Sequence, residues 1–281
     1  ITYGDWSSDV CSSDLLFPIT RDPLQSEALM GDTRFETVLC DTAESRRIHY
    51  QIRYQVYCME TGFEDPGEFT DGNEKDSHDG NSAHFVVRDP ANGNWIAAMR
   101  LVLAGDGRLP SESMCNLEPV PQDSSKRRQA VEFSRLCVVE SHRRHNRDRS
   151  LVRIIDGKSG QLSKTVPHPR YPEILLSFIR ATFAWSREND VRYCYFLINR
   201  ALARTLKRLN LQLTPVGDSC EHRGVRTPYL VDLRLSEQRM LEKLSVFKEL
   251  NSRGAPYSRS SERDEVAADV NHAESVAFGL T

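Results

Sequence analysis

The ten residues Val131-Glu132-Phe133-Ser134-Arg135-Leu136-Cys137-Val138-Val139-Glu140 constrain the rest of the chain more than any other stretch. Leu136, Cys137, Val138 and Val139 have the apolar content of a strand covered on both faces. Glu132 and Arg135 nevertheless bring a carboxylate and a guanidinium into it, and ionised groups are costly in such surroundings unless paired. Partners are therefore expected from elsewhere in the sequence.

They stand upstream in one window: Arg53 late in a helical pattern, the triplet Glu74, Asp76 and Asp79, and Arg100 in the apolar run Ala97-Ala98-Met99-Arg100-Leu101-Val102. Two arginines and three carboxylates can close an ion-pair network around the strand. The plainer alternative is a set of solvated surface charges, the usual place for such side chains.

The order and spacing of these residues resemble the acyl-homoserine-lactone synthase type of N-acyltransferase, a branch of the GNAT fold. That pattern runs Arg, two aromatics, Glu-x-Asp-x-x-Asp, an Arg-Leu strand and Glu-x-x-Arg. Here it falls on Arg53, Tyr57, Phe63, Glu74, Asp76, Asp79, Arg100, Glu132 and Arg135. The phrases at 53–58, 132–138 and 222–229 are also similar to acyltransferases associated with the PEP-CTERM/exosortase system, which in turn resemble N-acyl amino acid synthases. The resemblance covers roughly residues 34–235.

It implies an α/β, GNAT-like (acyl-CoA N-acyltransferase) sandwich, with a mostly antiparallel central sheet and helices on both faces. It further implies an N-acyltransferase that moves a long-chain acyl group from a phosphopantetheine thioester to the amine of an amino acid or similar small molecule. The alternative is an acetyl-CoA-dependent acetyltransferase of a protein or small amine. Glu132 is the expected general base. Asp76 and Asp79 would position the amine, Arg135 would act beside them, and Arg53, Tyr57, Phe63, Glu74, Arg100 and Ser134 would bind substrate. No permanently bound cofactor is expected, because acyl carrier protein or acyl-CoA enters as co-substrate.

Arginines 143, 144, 147 and 149 follow the central strand, where a nucleotide-binding relative usually carries a glycine-rich turn that holds a pyrophosphate. This stretch has no glycine. The basic side chains are therefore expected to receive an anionic carrier protein instead.

Composition narrows the remaining choices. A length of 281 residues, 39% hydrophobic and 27% charged, suffices for a substantial core, and a net charge of -3 argues against wholesale nucleic-acid binding. Seven cysteines are scattered singly, which fits reduced thiols in a cytosol. No apolar run approaches a membrane span, so any membrane contact would be peripheral. His142, His145 and His168 lack the compact spacing of a zinc site, and no metal is expected.

Residues 1–33 read as a non-native or disordered leader, whose first sixteen residues resemble translated adapter sequence; 34–251 as one acyltransferase domain; and 252–281 as a frayed tail. After a short strand at 35–40, Asp41 or Thr42 is expected to cap a helix from Ala43 to Glu60. The acidic segment 62–82 is expected to order on binding. A hairpin is expected over Ala83–Arg88 and Trp95–Ala104, then a polar loop over 105–130 and an insertion loop over 156–171. The expected remainder is a helix opened by Pro172 and reaching Asn189, a strand at Arg192–Ile198, a helix at Ala201–Leu209, strands at Leu211–Val216 and Pro228–Leu233, and a helix at Glu237–Leu250.

Overall fold

The computed structural model describes residues 35–105, 107–117, 124–143 and 170–262. The leader through residue 33 and most of the expected insertion loop lie outside the described residues. Strand β1 (Glu36–Leu39) precedes helix α1 (Ala43–Tyr54), a π-helical stretch (Gln55–Glu60) and two 3-10 turns (Pro66–Glu68 and Asp79–Asn81). The hairpin β2 (Ser82–Arg88) and β3 (Trp95–Leu103) follows, then the short helices α2 (Pro110–Met114) and α3 (Ser124–Arg128). Next come β4 (Ala130–Val138), α4 (Glu140–Arg143), α5 (Arg170–Glu188), β5 (Tyr193–Ile198) and α6 (Arg200–Arg208). The chain goes on through β6 (Leu213–Pro215), β7 (Cys220–Glu221), β8 (Val225–Asp232), α7 (Leu233–Lys243), α8 (Ser245–Arg253) and β9 (Ser258–Arg259).

These strands form one sheet in the order β6-β8-β5-β4-β3-β2-β1-β9, with β7 beside β8. Neighbours are antiparallel except β4 with β5 and β1 with β9. Helices cover both faces, as strand alternation shows at one step: His84 points to His49 and Tyr50 of α1, whereas Phe85, its neighbour in β2, meets Trp185 of α5. Helix α5 is buried all round from Ile174 to Ser186. Three of its polar side chains are bonded there: Ser177 donates to the Ile174 carbonyl, Thr182 to that of Phe178, and Arg180 to Asn251.

Several expectations are corrected. The helix starting at Ala43 does not run as one α-helix to Glu60. It is capped by Thr42, whose hydroxyl accepts from the Ser45 N–H, and widens into π-helix after Tyr54. Pro172 is the third residue of its helix rather than the first, still within the first turn, where a missing N–H removes no helical bond. The single helix foreseen at 237–250 is two, broken at Leu244. The polar loop 105–130 contains α2 and α3.

The tail does not fray at 252. Strand β9 pairs with β1, and the Ser261 N–H and hydroxyl donate to the Asp41 carboxylate at 2.9 and 2.6 Å. Residues 263–281 lie outside the described residues. Not all the thiols are free either: Cys115 and Cys220 form a disulfide with their Cα atoms 5.8 Å apart, while Cys40, Cys58, Cys137 and Cys194 are buried free cysteines. The two partners are 105 residues apart, so no spacing pattern in the sequence could announce the bond. The same two segments touch again where Leu117 bridges Gly217.

Two irregularities of β4 shape the molecule's centre. Its pairing with β5 runs from Ala130↔Tyr193 to Phe133↔Phe196 and stops, although β4 continues to Val138 and β5 to Ile198, so the strands part. On the other edge, Ala98 pairs with Cys137 and Arg100 with Ser134, so Arg135 and Leu136 together oppose Met99. This is a β-bulge, with Arg135 at φ +53°. Such a left-handed backbone in a non-glycine residue costs about 1–3 kcal/mol and persists only when its surroundings hold it.

Candidate active site

Strand register assembles the site. His84 pairs with Arg100 and Arg100 with Ser134, placing the three in one row on the α1 face, and Glu132 falls on the same face two residues before Ser134. Arg100 donates from Nε to Ser134 Oγ at 3.0 Å, from Nη1 to Asp76 Oδ1 and Asp79 Oδ1 at 2.6 Å each, and from Nη2 to Asp76 Oδ2 at 2.7 Å. Arg53 reaches in from α1, bonding Asp79 Oδ1 at 2.6 Å through Nη1 and Glu74 through Nε. The bulge aims Arg135 at the same carboxylates: its Nη2 lies 3.0 Å from Asp76 Oδ2 and 3.2 Å from Glu74 Oε1.

The interior placement of these groups fits their pairing. Arg53, Glu74 and Arg100 are each at most 1% exposed. Burial alone would raise the Asp79 carboxyl, but bonds from His84 and Arg53 and the charge of Arg100 override it and hold the group well below the ordinary carboxylate range. Asp76 is held low in the same way by Arg100 and Arg135. Burial pushes the His84 imidazole down despite Asp79, so the ring is neutral near pH 7, and its Nε2–H donates to Asp79 Oδ1 at 3.1 Å.

The acidic segment, expected to order on binding, is already tied down in this structure. The Glu74 N–H donates to the Tyr50 carbonyl, that of Asp76 to Asp79 Oδ2 at 2.7 Å, and that of His78 to Asp76 Oδ1 at 2.9 Å. Tyr57, in the π-helical stretch, is buried and donates its hydroxyl to the Leu136 carbonyl at 3.1 Å, fastening the stretch to the bulge. Phe63 is 47% exposed at the rim.

Glu132 stands apart from this network, contrary to the expectation that its charge is met by an arginine. It is 2% exposed and accepts from Ser111 twice on Oε2, from the N–H at 2.9 Å and the hydroxyl at 2.6 Å. Burial raises its pKa to about 7, with the Ser111 bonds and the Arg100 charge pulling the other way. A buried carboxylate poised near neutrality and held by two donors is suited to accept a proton.

Ser111 is the main site residue that sequence reasoning missed. Pro110 and Glu112 around it form a helix start, with the Glu112 carboxylate accepting from the Leu109 N–H at 2.7 Å, and that local signature was available to find α2. Also missed were His84, Glu64 and Arg223. Of the basic side chains assigned to carrier contact, Arg143 ends α4, while Arg144, Arg147 and Arg149 lie outside the described residues. His142, one of the three histidines weighed for zinc, packs edge-on against Phe35; His145 and His168 are outside the described residues. Among the described residues no helix is long and apolar enough to cross a membrane.

Residues 52–153 match the family model of the acetyltransferase (GNAT) domain. Among solved structures, the chain is similar to TofI, crystallised in a ternary complex with an inhibitor and MTA, at 15% identity and a TM-score of 0.53 over 74% of this chain and 96% of that one. It is also similar to BjaI, a CoA-dependent acyl-homoserine lactone synthase crystallised with MTA, at 14% identity and a TM-score of 0.50 over 76% and 99% of the two chains. At such identities the likeness shows a shared fold. No curated protein matches the sequence.

Proposed function

We propose that this chain, whose residues 52–153 match the acetyltransferase (GNAT) domain model, transfers a long-chain acyl group from a phosphopantetheine thioester, carried by an acyl carrier protein, to the amine of an amino acid or similar small molecule. The observation that carries this reading is the meeting of Arg53, Arg100 and Arg135 with Glu74, Asp76 and Asp79 on the face that also holds Glu132.

In the reaction, the amine nitrogen attacks the thioester carbonyl; the C–N bond forms, the C–S bond breaks, and the carrier's thiol leaves. An ammonium group must first lose a proton, and Glu132 takes it directly or through water. Backbone dipoles where β4 and β5 part are suited to hold the oxyanion. Asp76, the most exposed of the three network carboxylates at 24% of its side chain, faces the incoming amine, while the arginines fix the acids in register. The absence of glycine between residues 143 and 153 supports a carrier protein over coenzyme A as donor. A finer placement among the PEP-CTERM/exosortase-associated acyltransferases rests on the three matching phrases of sequence.

The test is a mass-spectrometric comparison of extracts from cells expressing the wild-type protein and Glu132→Gln. Long-chain N-acyl amino acids are expected with the first and absent with the second, at a melting temperature no lower than that of the wild type. Normal product formation by Glu132→Gln would overturn the base assignment. Submicromolar binding of coenzyme A would favour the acetyl-CoA-dependent alternative.

A further inference from the structure

The turn between β7 and β8 brings a fourth arginine to the rim of the site. Arg223 sits at φ +53°, followed by Gly224 at φ +90°, and Arg226 pins the turn by donating from Nε to the His222 carbonyl at 2.7 Å. The Arg223 guanidinium lies over two rings, 5.3 Å from the centre of Phe63 and 5.8 Å from that of Tyr57, and it bonds the Glu64 carboxylate. Arg135 approaches the same Glu64 oxygen at 3.5 Å. One carboxylate thus lies between two guanidiniums, with aromatic rings beside it.

Glu64 differs from the other acids of the site. Glu74 and Asp79 are buried and held by two arginines each, and Asp76 is bonded bidentately by Arg100, whereas Glu64 meets both of its guanidiniums through the single oxygen Oε1 and sits on a loop whose backbone is already anchored to the Tyr57 carbonyl. The backbone bond does not involve its side chain, so displacing the carboxylate leaves that anchor of the loop in place. The pair with Arg223 is part-buried, at 21% and 20% of the two side chains, so a solute can reach it from the solvent side. Arg135 Nη2 touches both Glu64 and Asp76, so a carboxylate replacing that of Glu64 would lie one guanidinium nitrogen away from an acid able to receive an ammonium group.

We propose that Arg223 and Arg135 form a carboxylate clamp for the acceptor, that Glu64 occupies it when no acceptor is bound, and that the acceptor is therefore a zwitterionic amino acid rather than a simple amine. The inference rests on the acyl-transfer reading and narrows its acceptor. It makes Arg223 a binding and specificity residue and leaves the proton transfer to Glu132.

The kinetic test compares the twenty standard amino acids with their carboxamides, using an octanoyl-loaded carrier protein as donor. Wild type is expected to prefer acids at least tenfold in kcat/KM. Arg223→Gln should raise KM for the best acid at least tenfold more than for its amide, and Glu64→Gln should lower KM for the acid. Equal turnover of acids and amides, or equal loss on both in Arg223→Gln, would overturn the clamp. A calorimetric titration with benzoate and with benzamide needs no turnover, and so separates failure of the clamp from failure of the acyl-transfer reading. Benzoate is expected to bind wild type, more tightly to Glu64→Gln and at least tenfold more weakly to Arg223→Gln; indifference of benzoate binding to both substitutions sinks the proposal even if acyl transfer is found.

Discussion

Ser111 grips Glu132 with two donors on a single carboxylate oxygen, its N–H at 2.9 Å and its hydroxyl at 2.6 Å. Hydrogen bonds to an ionised acceptor favour the charged form, while burial opposes it. The balance leaves the Glu132 carboxyl at about 7. The kcat/KM for acyl transfer should therefore rise with pH through about 7 as the base loses its proton. In Ser111→Ala the hydroxyl bond is gone, and the rising limb should move up by about one pH unit. A pH–rate profile of the two proteins measures this, and coincident limbs would separate Ser111 from the base.

The same group leaves a mark on stability. Its value is raised above the ordinary 4.5, so between about 4.5 and 7 the folded chain holds a proton that the unfolded chain has released. This contribution is fully present below 4.5 and fades as pH rises towards 7. Glu132→Gln should flatten that part of the stability–pH curve in urea titrations, and it should lower kcat by about 10²–10⁴.

Acid should act in the opposite sense on Asp79 and Asp76. Both are held below the ordinary 3.8. Their stabilisation is present above that value and is lost as pH falls below it, when the arginines lose their partners. Acid unfolding followed by circular dichroism should steepen below pH 3.8, and Asp79→Asn should weaken the dependence.

Arg100 bonds two carboxylates and a serine from the middle of a buried strand. Arg100→Ala would leave Asp79 to Arg53 and His84 and Asp76 to Arg135, and removing one side of a buried ion cluster typically costs about 3–5 kcal/mol. Equilibrium urea unfolding gives the number directly. A loss below about 1 kcal/mol, in the range of exposed pairs, would show that water has replaced the guanidinium.

Gly217 tests the docking of the Ser111 segment. A Cβ there would stand 2.2 Å from the Asn116 carbonyl oxygen, a backbone atom with little room to yield. Gly217→Ala should destabilise the protein by about 1–3 kcal/mol and shift the pH–rate limb, because Asn116 follows closely on the helix that carries Ser111.

How far the site could be read from the chain alone varies by residue. Arg53 and Arg100 were legible because charges inside apolar-periodic segments need partners, and they find them in Glu74, Asp76 and Asp79 of the acidic segment, which the resemblance and not periodicity marked out. Glu132 was legible as a buried carboxylate but not as Ser111's partner. Phe63 and Tyr57 stood in the pattern with a role, whereas Arg223 stood only within the matching phrase 222–229 and had none, since its partner Glu64 lies 159 residues away.

Periodicity indicated the longer helices and strands and with them the α/β class, because burial of one face acts locally and repeats every two or 3.6 residues. Tertiary structure decided the rest: the left-handed Arg135 in the β4 bulge, the Cys115–Cys220 bond, the return of Ser258 and Arg259 to β1, and the release of Glu132 from the arginines to Ser111. Each of these depends on which distant segments come to lie side by side, and a linear pattern of polar and apolar residues carries no term for that.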